Sequence, residues 1–457
     1  MNARKADIVV IGAGIVGIAC AYYLARSRPG LRIVVVDQNA PMSLTSAASG
    51  ENYRNWWPHP IMTAFTDYSI DLLEEIARRH DNRVRITRRG YALATRQAKP
   101  DRLLEELHTG YGPEGARRIR VHGAASPSSY IPAVSEDWQD APEGVDVLQN
   151  PELIRRHFPT FDPEVSTVLH VRRAGDISGQ QLGSLMLEEV RAAGGAVSRA
   201  RVTEIVRQDG GFALKMRGDE GEQALHAGII VNAAGPYVAD IARMLGEELP
   251  VENVFHQKIA FADNLGAIDR RMPFSIDLDG QTIDWTSQER QLLEEDGATA
   301  WLARPMPGGI HCRPEGGDHG KWIKLGWAYN RQPSEPQDDL PTDPNFPDIV
   351  LRGASRLNPR VKQYYGRLPR QITHYGGYYT MTKENWPLIG PMKTKGVFVA
   401  GALSGFGTMA ACATGALCAS WVQGAQRPEF AERLSLSRYD DENFIRQLRD
   451  SAGTGVL

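Results

Sequence analysis

The sequence predicts a mixed α/β fold, α+β overall, organised around an open and largely parallel sheet. Three observations carry that reading. A short apolar strand, residues 7–11, runs directly into a glycine-rich turn and a helix. A second strand, residues 32–36, follows at βαβ spacing and ends on an acidic residue, Asp37. Far along the chain, residues 396–401 form another apolar strand that opens on another glycine-rich helix start.

The first junction has the residues a dinucleotide needs. Gly12, Gly14 and Gly17 make a GxGxxG pattern between strand and helix. Gly12 permits the tight turn, Gly14 lets backbone approach a pyrophosphate, and Gly17 allows close helix–strand packing. The helix opens at Ile15 and Val16, where unpaired N–H groups and the positive dipole end suit phosphates. Asp37, followed by Gln38, is spaced to accept hydrogen bonds from ribose hydroxyls. The pattern serves nicotinamide and flavin nucleotides alike, so later segments decide between them.

Residues 45–52 (TSAASGEN), with Ser46, Ser49 and Gly50, are small and polar, as a loop against a pyrophosphate or flavin ring is. Ser178 and Gln181 have capping-box spacing, Leu182, Leu185, Met186 and Val190 line one helical face, and Gly194 and Gly195 stop the helix. Strands are expected near 202–206, 212–216 and 227–231, the last running into Asn232, Ala233, Ala234 and Gly235. Small residues at a strand's carboxyl end suit a nucleotide at the edge of an open sheet. The final strand leads through Gly401 into Gly405, Phe406, Gly407 and Thr408, which open a helix to about residue 422. A second junction this distant suits a long cofactor, with one helix end at the pyrophosphate and the other at flavin carbonyls.

Composition excludes several classes. Lys and Arg number 52 against 55 Asp and Glu, a net charge of −3, so there is no basic footprint for nucleic acid. The four cysteines, Cys20, Cys312, Cys412 and Cys418, contain no CxxC and no disulfide framework. His311, Cys312 and His319 lack zinc-ligand spacing and read as a surface loop, so no metal is expected. The longest apolar run, 397–422, is broken by Gly401, Gly405, Gly407 and Gly415 and reads as strand, turn and helix rather than a membrane span. Residues 1–6 are short and polar with no leader, so a soluble, cytoplasmic protein is the expectation. Glycine is in excess, 45 in 457 residues, which suits tight turns and close backbone approach to a ligand.

Together these residues resemble a family. Segments 7–25 (DIVVIGAGIVGIACAYYLA), 45–52, 231–236 (VNAAGP), 376–391 (GGYYTMTKENWPLIGP) and 396–415 (GVFVAGALSGFGTMAACATG) run in one familiar order. It is the order of the flavin-dependent amine oxidoreductases of the D-amino-acid oxidase superfamily, particularly the glycine oxidase and monomeric sarcosine oxidase branch. The resemblance implies FAD and a Rossmann-type FAD-binding domain built from three separated segments, 1–84, 176–245 and 376–435. It implies an inserted substrate-binding domain with a mainly antiparallel β-sheet, 85–175 and 246–375, and leaves 436–457 as a C-terminal tail. The implied cofactor contacts are Gly12, Gly14, Ile15, Val16, Gly17, Asp37, Gln38, Ser46, Ser49, Gly50, Val202, Ala234, Gly235, Gly401, Gly405, Phe406, Gly407 and Thr408.

The resemblance also directs attention to single residues. In sarcosine oxidases a cysteine joined covalently to the flavin precedes a Tyr-Thr-x-Thr run. Here Tyr379-Thr380-Met381-Thr382 matches, Gly377 stands at the cysteine position, and FAD is therefore expected to be non-covalent. Lys324, in Lys324-Leu325-Gly326-Trp327, matches a segment whose lysine activates oxygen, since a fixed cation stabilises developing superoxide in a water-poor site. Two positions depart from the family: Met409 replaces a lysine that binds the substrate carboxylate, and Ala328 replaces a histidine. Arg54 then becomes the candidate for holding a carboxylate bidentately. Tyr53, Trp56, Trp57 and His59, with Tyr378 and Tyr379, read equally as an aromatic wall for an amine or as core. His256 and Gln257 fall where relatives place residues near the flavin face.

The expected reaction is oxidation of a C–N bond in an amine or N-substituted amino acid to an imine, which water hydrolyses to a carbonyl. Dioxygen would take the electrons and leave as hydrogen peroxide. The alternatives are a dehydrogenase of the same fold passing electrons to a quinone or carrier protein, a non-enzymatic flavoprotein subunit or assembly factor, and a plain NAD dehydrogenase. The expected partners are a small-molecule amine or amino acid and O2, with no nucleic acid and no membrane. Residues 85–87 and 90–94 read as the first strands of the second domain, 110–148 and 331–347 as surface excursions, and 285–297 and 312–321 as loops over the site.

Overall fold

In the computed structural model, which describes residues 4–123, 129–133, 138–219 and 221–450, two large sheets organise the chain. The first has seven strands. Its parallel part runs, in spatial order, Ala196–Gln208, Ile33–Asp37, Arg4–Ile11, Gly221–Asn232 and Val397–Gly401, with Leu388–Pro391 antiparallel at one edge. Where they meet at the centre, residues 8–11, 33–36 and 229–231, these strands are apolar because both faces are covered. Alternation divides the first strand: Ile8 and Val10 pack towards helices Ile15–Ser27, Gly179–Ala192 and Gly407–Gln423, while Val9 and Ile11 pack towards an antiparallel meander. The two longest strands serve both layers. Ala196–Gln208 pairs with Ile33–Asp37 through residues 196–199 and with Gly211–Gly218 through residues 200–208.

Helix Gly407–Gln423 is the centre of the larger core, which explains its apolar sequence without a bilayer. It lies against Ile15–Ser27 so closely that a Cβ on Gly415 would stand 2.6 Å from the Ala19 backbone. Among the described residues no helix is long and apolar enough to cross a membrane.

The second sheet has nine strands, ordered Ile372–Met381, Glu252–Ala262, Trp322–Gly326, Ile310–Glu315, Phe274–Asp277, Tyr91–Thr95, Thr167–Val171, Val145–Leu148 and Ile119–His122. Its pairings are antiparallel except where Phe274–Asp277 meets Tyr91–Thr95 and Ile119–His122 meets Val145–Leu148. Strand Ile372–Met381 belongs wholly to this sheet, so residue 376 falls in mid-strand.

Several local expectations change. Residues 85–87 are irregular, although Tyr91–Thr95 is a strand as read. His311 and Cys312 are not in a surface loop but inside strand Ile310–Glu315, buried because that strand is interior to the sheet. Residues 285–297 contain helix Ser287–Glu295, started by a capping box of Thr286 and Glu289 that the loop reading passed over. The first part of 312–321 is strand for the same reason as His311. The 110–148 excursion supplies the last two strands at one end of the nine-stranded sheet, with 124–128 and 134–137 outside the described residues. The C-terminal stretch packs back on the protein: buried Arg438 pairs with Glu384 at 2.7 Å, and helix Glu442–Asp450 follows.

Candidate functional site

The glycine-rich turn is a crossing of backbones. Gly12 has φ +110°, and a Cβ there would stand 2.2 Å from the Ala233 carbonyl oxygen. A Cβ on Gly17 would stand 2.0 Å from the Gly12 carbonyl, so helix and strand meet only with glycine at both positions. The turn also fixes the acid at the end of the next strand. Asp37 accepts from Ala13 N at 2.7 Å and from Asn39 N at 2.8 Å. Ser46 Oγ accepts from Ile15 N at 3.0 Å, and Ser49 Oγ lies 2.7 Å from Thr408 Oγ1. The 45–50 loop thus bridges the two helix starts although they are far apart in sequence.

Two adjoining cavities, about 850 and 780 Å³ counting space open to solvent, run along these elements. Gly12, Asp37, Gln38 and Val202 line the first; Ile15, Val16, Ser49, Gly50, Gly401, Gly405, Gly407 and Thr408 line the second. Gly14, Ser46, Ala233 and Gly235 stand where the two meet, and Ala234 lines the first. Only Gly17 and Phe406 of the expected cofactor residues stand behind the walls. Gly17 makes the helix–strand contact, and Phe406 packs edge-on against Trp57 at 4.8 Å. The trough is long and walled largely by glycine backbone, and both helix starts, at Ile15 and at Gly407, line its second cavity. That is the shape and donor set a flavin dinucleotide requires.

The nine-stranded sheet presents one face to the second cavity. Lys258 is opposite Gly326, Arg313 opposite Lys324, His311 opposite Gly326, and His256 opposite Gly377. Period-two alternation therefore puts His256, Lys258, His311, Arg313, Lys324 and Tyr379 on the same face. The same alternation turns Gln257 away. Its Oε1 accepts from Asp343 N at 2.7 Å and lies 2.9 Å from His374 Nε2, so Gln257 faces the opposite side from the flavin cavity.

The charges on this face are unevenly paired. Lys324 Nζ lies 2.7 Å from Glu315, which also holds Arg313 at 2.6 Å, and reaches the Ser49 carbonyl at 3.5 Å. Burial pushes the Glu315 carboxyl up, but Arg313 and Lys324 outweigh it and hold its pKa below the usual value. Burial and then Arg313 lower the pKa of Lys324. Lys258 lines the cavity wall. Its Nζ reaches only the Ala48 carbonyl at 3.4 Å and the Tyr379 hydroxyl at 3.5 Å. His256 stacks on the Tyr379 ring at 4.3 Å. Burial, with Lys258 adding, lowers the pKa of His256 to about 3, and the same causes lower His311 to about 3. Both imidazoles are neutral near pH 7.

Arg54 and the aromatic run are placed differently from the expectation. The Arg54 guanidinium packs over Trp57 at 5.4 Å and over Trp56 and Tyr91 at 5.7 Å each, off the cavity walls, and burial lowers its pKa. Trp56 and Trp57 are core, 3% and 1% exposed, so the run is not a substrate wall. His59 instead caps helix Pro60–Arg79 by accepting from Ile61 N. Tyr379 does line the cavity. Among the described residues no His, Cys, Asp or Glu cluster is arranged for a metal. Lys258 went unremarked in the sequence. Its signal was its position two residues after His256, which strand alternation brings to the same face.

A model of the family described as FAD dependent oxidoreductase matches residues 7–421. The chain is 24% identical over 386 residues to hydrogen cyanide synthase subunit HcnC of Pseudomonas aeruginosa, covering 74% of this chain and 84% of that one. Among solved structures, L-proline dehydrogenase from P. horikoshii matches 96% of this chain and 99% of its own, with a TM-score of 0.70 at 18% identity. Glycine oxidase from Geobacillus kaustophilus matches 95% of this chain and 99% of its own, with a TM-score of 0.70 at 15% identity. At these identities the two structures share the fold.

Proposed function

Because the chain belongs to the FAD dependent oxidoreductase family, we propose that it oxidises the C–N bond of an amine or N-substituted amino acid. The observation that carries this reading is the meeting of two helix starts along one trough, faced by a sheet bearing buried lysines, neutral histidines and a tyrosine. Bound FAD supplies a two-electron acceptor there. The start of helix Ile15–Ser27, where Ile15 N is already given to Ser46 Oγ, would hold the pyrophosphate through its remaining N–H groups, and the start of Gly407–Gln423 would lie at the flavin end. Segments 1–84, 176–245 and 376–435 form the FAD-binding unit in this reading, with 85–175 and 246–375 holding the substrate, and strand Ile372–Met381 of the nine-stranded sheet runs across the boundary at 376.

The chain's own contribution is orientation and exclusion of water. The amine enters neutral, so its lone pair forms the C=N bond as the α C–H bond breaks and its electron pair leaves as hydride. Water then adds to the imine carbon, and the carbonyl product and free amine depart. No side chain is needed as a base, and a neutral His256 neither repels nor protonates the amine. Gly377 has no side chain through which to bond the flavin, which supports a non-covalent cofactor. Lys324, 8% exposed and beside the 45–50 loop, assists dioxygen as the final acceptor.

The test is an anaerobic titration of the holoenzyme with N-methyl amino acids, D-amino acids, cyclic imino acids and aromatic amines. Bleaching of the flavin band by at least one is expected, followed in air by oxygen uptake with equimolar peroxide. Bleaching without oxygen uptake would shift the reading to a dehydrogenase, and no bleaching by any amine would end it.

A further inference from the structure

We propose that Lys258 is the anchor for a substrate carboxylate, making the amine oxidised here an α-amino acid or its N-alkyl derivative. The proposal rests on the amine-oxidation reading of the site. Its basis is the charge balance of the sheet face.

Lys258 is 5% exposed, and its stem crosses Gly50, with Cε 4.0 Å from the place a Gly50 Cβ would occupy. Among the described residues no carboxylate pairs with it; its ammonium has only the two long contacts to Ala48 and Tyr379 and lies 5.5 Å from the Tyr379 ring centre. The other two cations on the face are already met. Arg313 has Glu315 at 2.6 Å, Asp176 at 3.5 Å and Glu51 at 3.9 Å, and Lys324 shares Glu315. The neighbours that remain to Lys258, His256 and His311, are neutral and supply no counter-charge. A buried ammonium without a counter-charge is costly, and an anion arriving in the cavity offsets that cost.

The donors around it fit a carboxylate. Lys258 Nζ and the Tyr379 hydroxyl lie 3.5 Å apart, a separation that lets each donate to one carboxylate oxygen. His256, stacked on the same tyrosine, keeps a buried Nδ1 with no hydrogen-bond partner. The pyrophosphate of FAD would have its own donors at the start of helix Ile15–Ser27 and would not need Lys258. Met409 is 2% exposed in the core and Arg54 sits among aromatic rings, so neither reaches a carboxylate in the cavity.

The experiment uses the FAD-loaded protein and two simple probes, propionate and benzoate, read by perturbation of the visible flavin band. The wild type is expected to show saturable perturbation, Lys258→Met to raise the Kd at least about tenfold, and Lys258→Arg to recover most of it. Tyr379→Phe is expected to raise the Kd several-fold, and it keeps the question answerable if Lys258→Met fails to hold flavin. Sulfite addition to the flavin, which reads positive charge serving the ring itself, is expected to stay within about threefold in Lys258→Met. An unchanged carboxylate Kd, a wild type indifferent to both probes, or a sulfite loss as large as the carboxylate loss would each overturn the proposal. The two readings fail separately. A wild type that binds propionate but is reduced by no amine counts against amine oxidation, and one reduced by amines but blind to carboxylates counts against the anchor.

Discussion

At the residue scale, burial decides which side chains can carry charge. His170 and His311 are wholly enclosed, and burial lowers each pKa to about 3. The unfolded chain titrates them near ~6.5, so below that pH it binds protons that the native state refuses. Their contribution to stability is full above about pH 6.5 and is lost as pH falls towards 3, at about 1.4 kcal/mol per pH unit for each. Thermal melts from pH 7 to 4.5 are expected to show this slope, and His311→Gln to make it shallower by about one such increment. Lys324 is the complementary case: burial and Arg313 lower its pKa, and its ion pair with Glu315 opposes them. Stopped-flow reoxidation of Lys324→Met is expected to be at least about tenfold slower in air, a barrier change of about 1.4 kcal/mol. Unchanged reoxidation would remove Lys324 from the oxygen chemistry.

At the element scale, the flavin trough depends on two helices held closer than most side chains allow. Gly415 faces the Ala19 backbone and the Tyr23 ring, so Gly415→Val must push Gly407–Gln423 away from Ile15–Ser27. Overpacking of this kind costs ~1–3 kcal/mol. Because both helices start at the trough, the variant is expected to lose FAD during gel filtration as well as several degrees of melting temperature. Retained flavin with a lowered melting point would mean that the helix starts are positioned by the 45–50 loop rather than by this contact. Ser49 and Thr408 provide that second tie.

At the scale of the whole molecule, a single cofactor joins elements from both ends of the chain. Gly12, Gly14 and Val16 near the N-terminus, Ser46 and Gly50, Val202, Ala233 to Gly235, Gly377 to Thr380, and Gly401 and Thr408 near the C-terminus line the two cavities. Ligand that binds only the native state raises its stability by mass action. Added FAD is accordingly expected to raise the melting temperature of deflavinated protein in a concentration-dependent way. Acid precipitation of the holoprotein is expected to leave a colourless pellet with all FAD in the supernatant, and a yellow pellet would show a covalent link.

The sequence by itself determined the fold class, the flavin junctions and most of the trough, because those features are local. Gly12 to Gly17, Asp37 and Gly401 to Thr408 act through backbone geometry within a few residues, and composition and spacing report that directly. The capped helix at Ser178 and the period-two strands were legible for the same reason. Only the tertiary structure decided which charged and aromatic residues face the ligand. Trp56 and Trp57 read equally as a binding wall or as core, and Arg54 as a carboxylate holder, until packing enclosed them; Gln257 read as a neighbour of the flavin until strand alternation turned it outward. Lys258 and Lys324 are both buried lysines on adjacent strands; what separates them is Glu315, which reaches one and not the other. A partner on another strand is set by register between distant segments, and no local pattern in the chain encodes it.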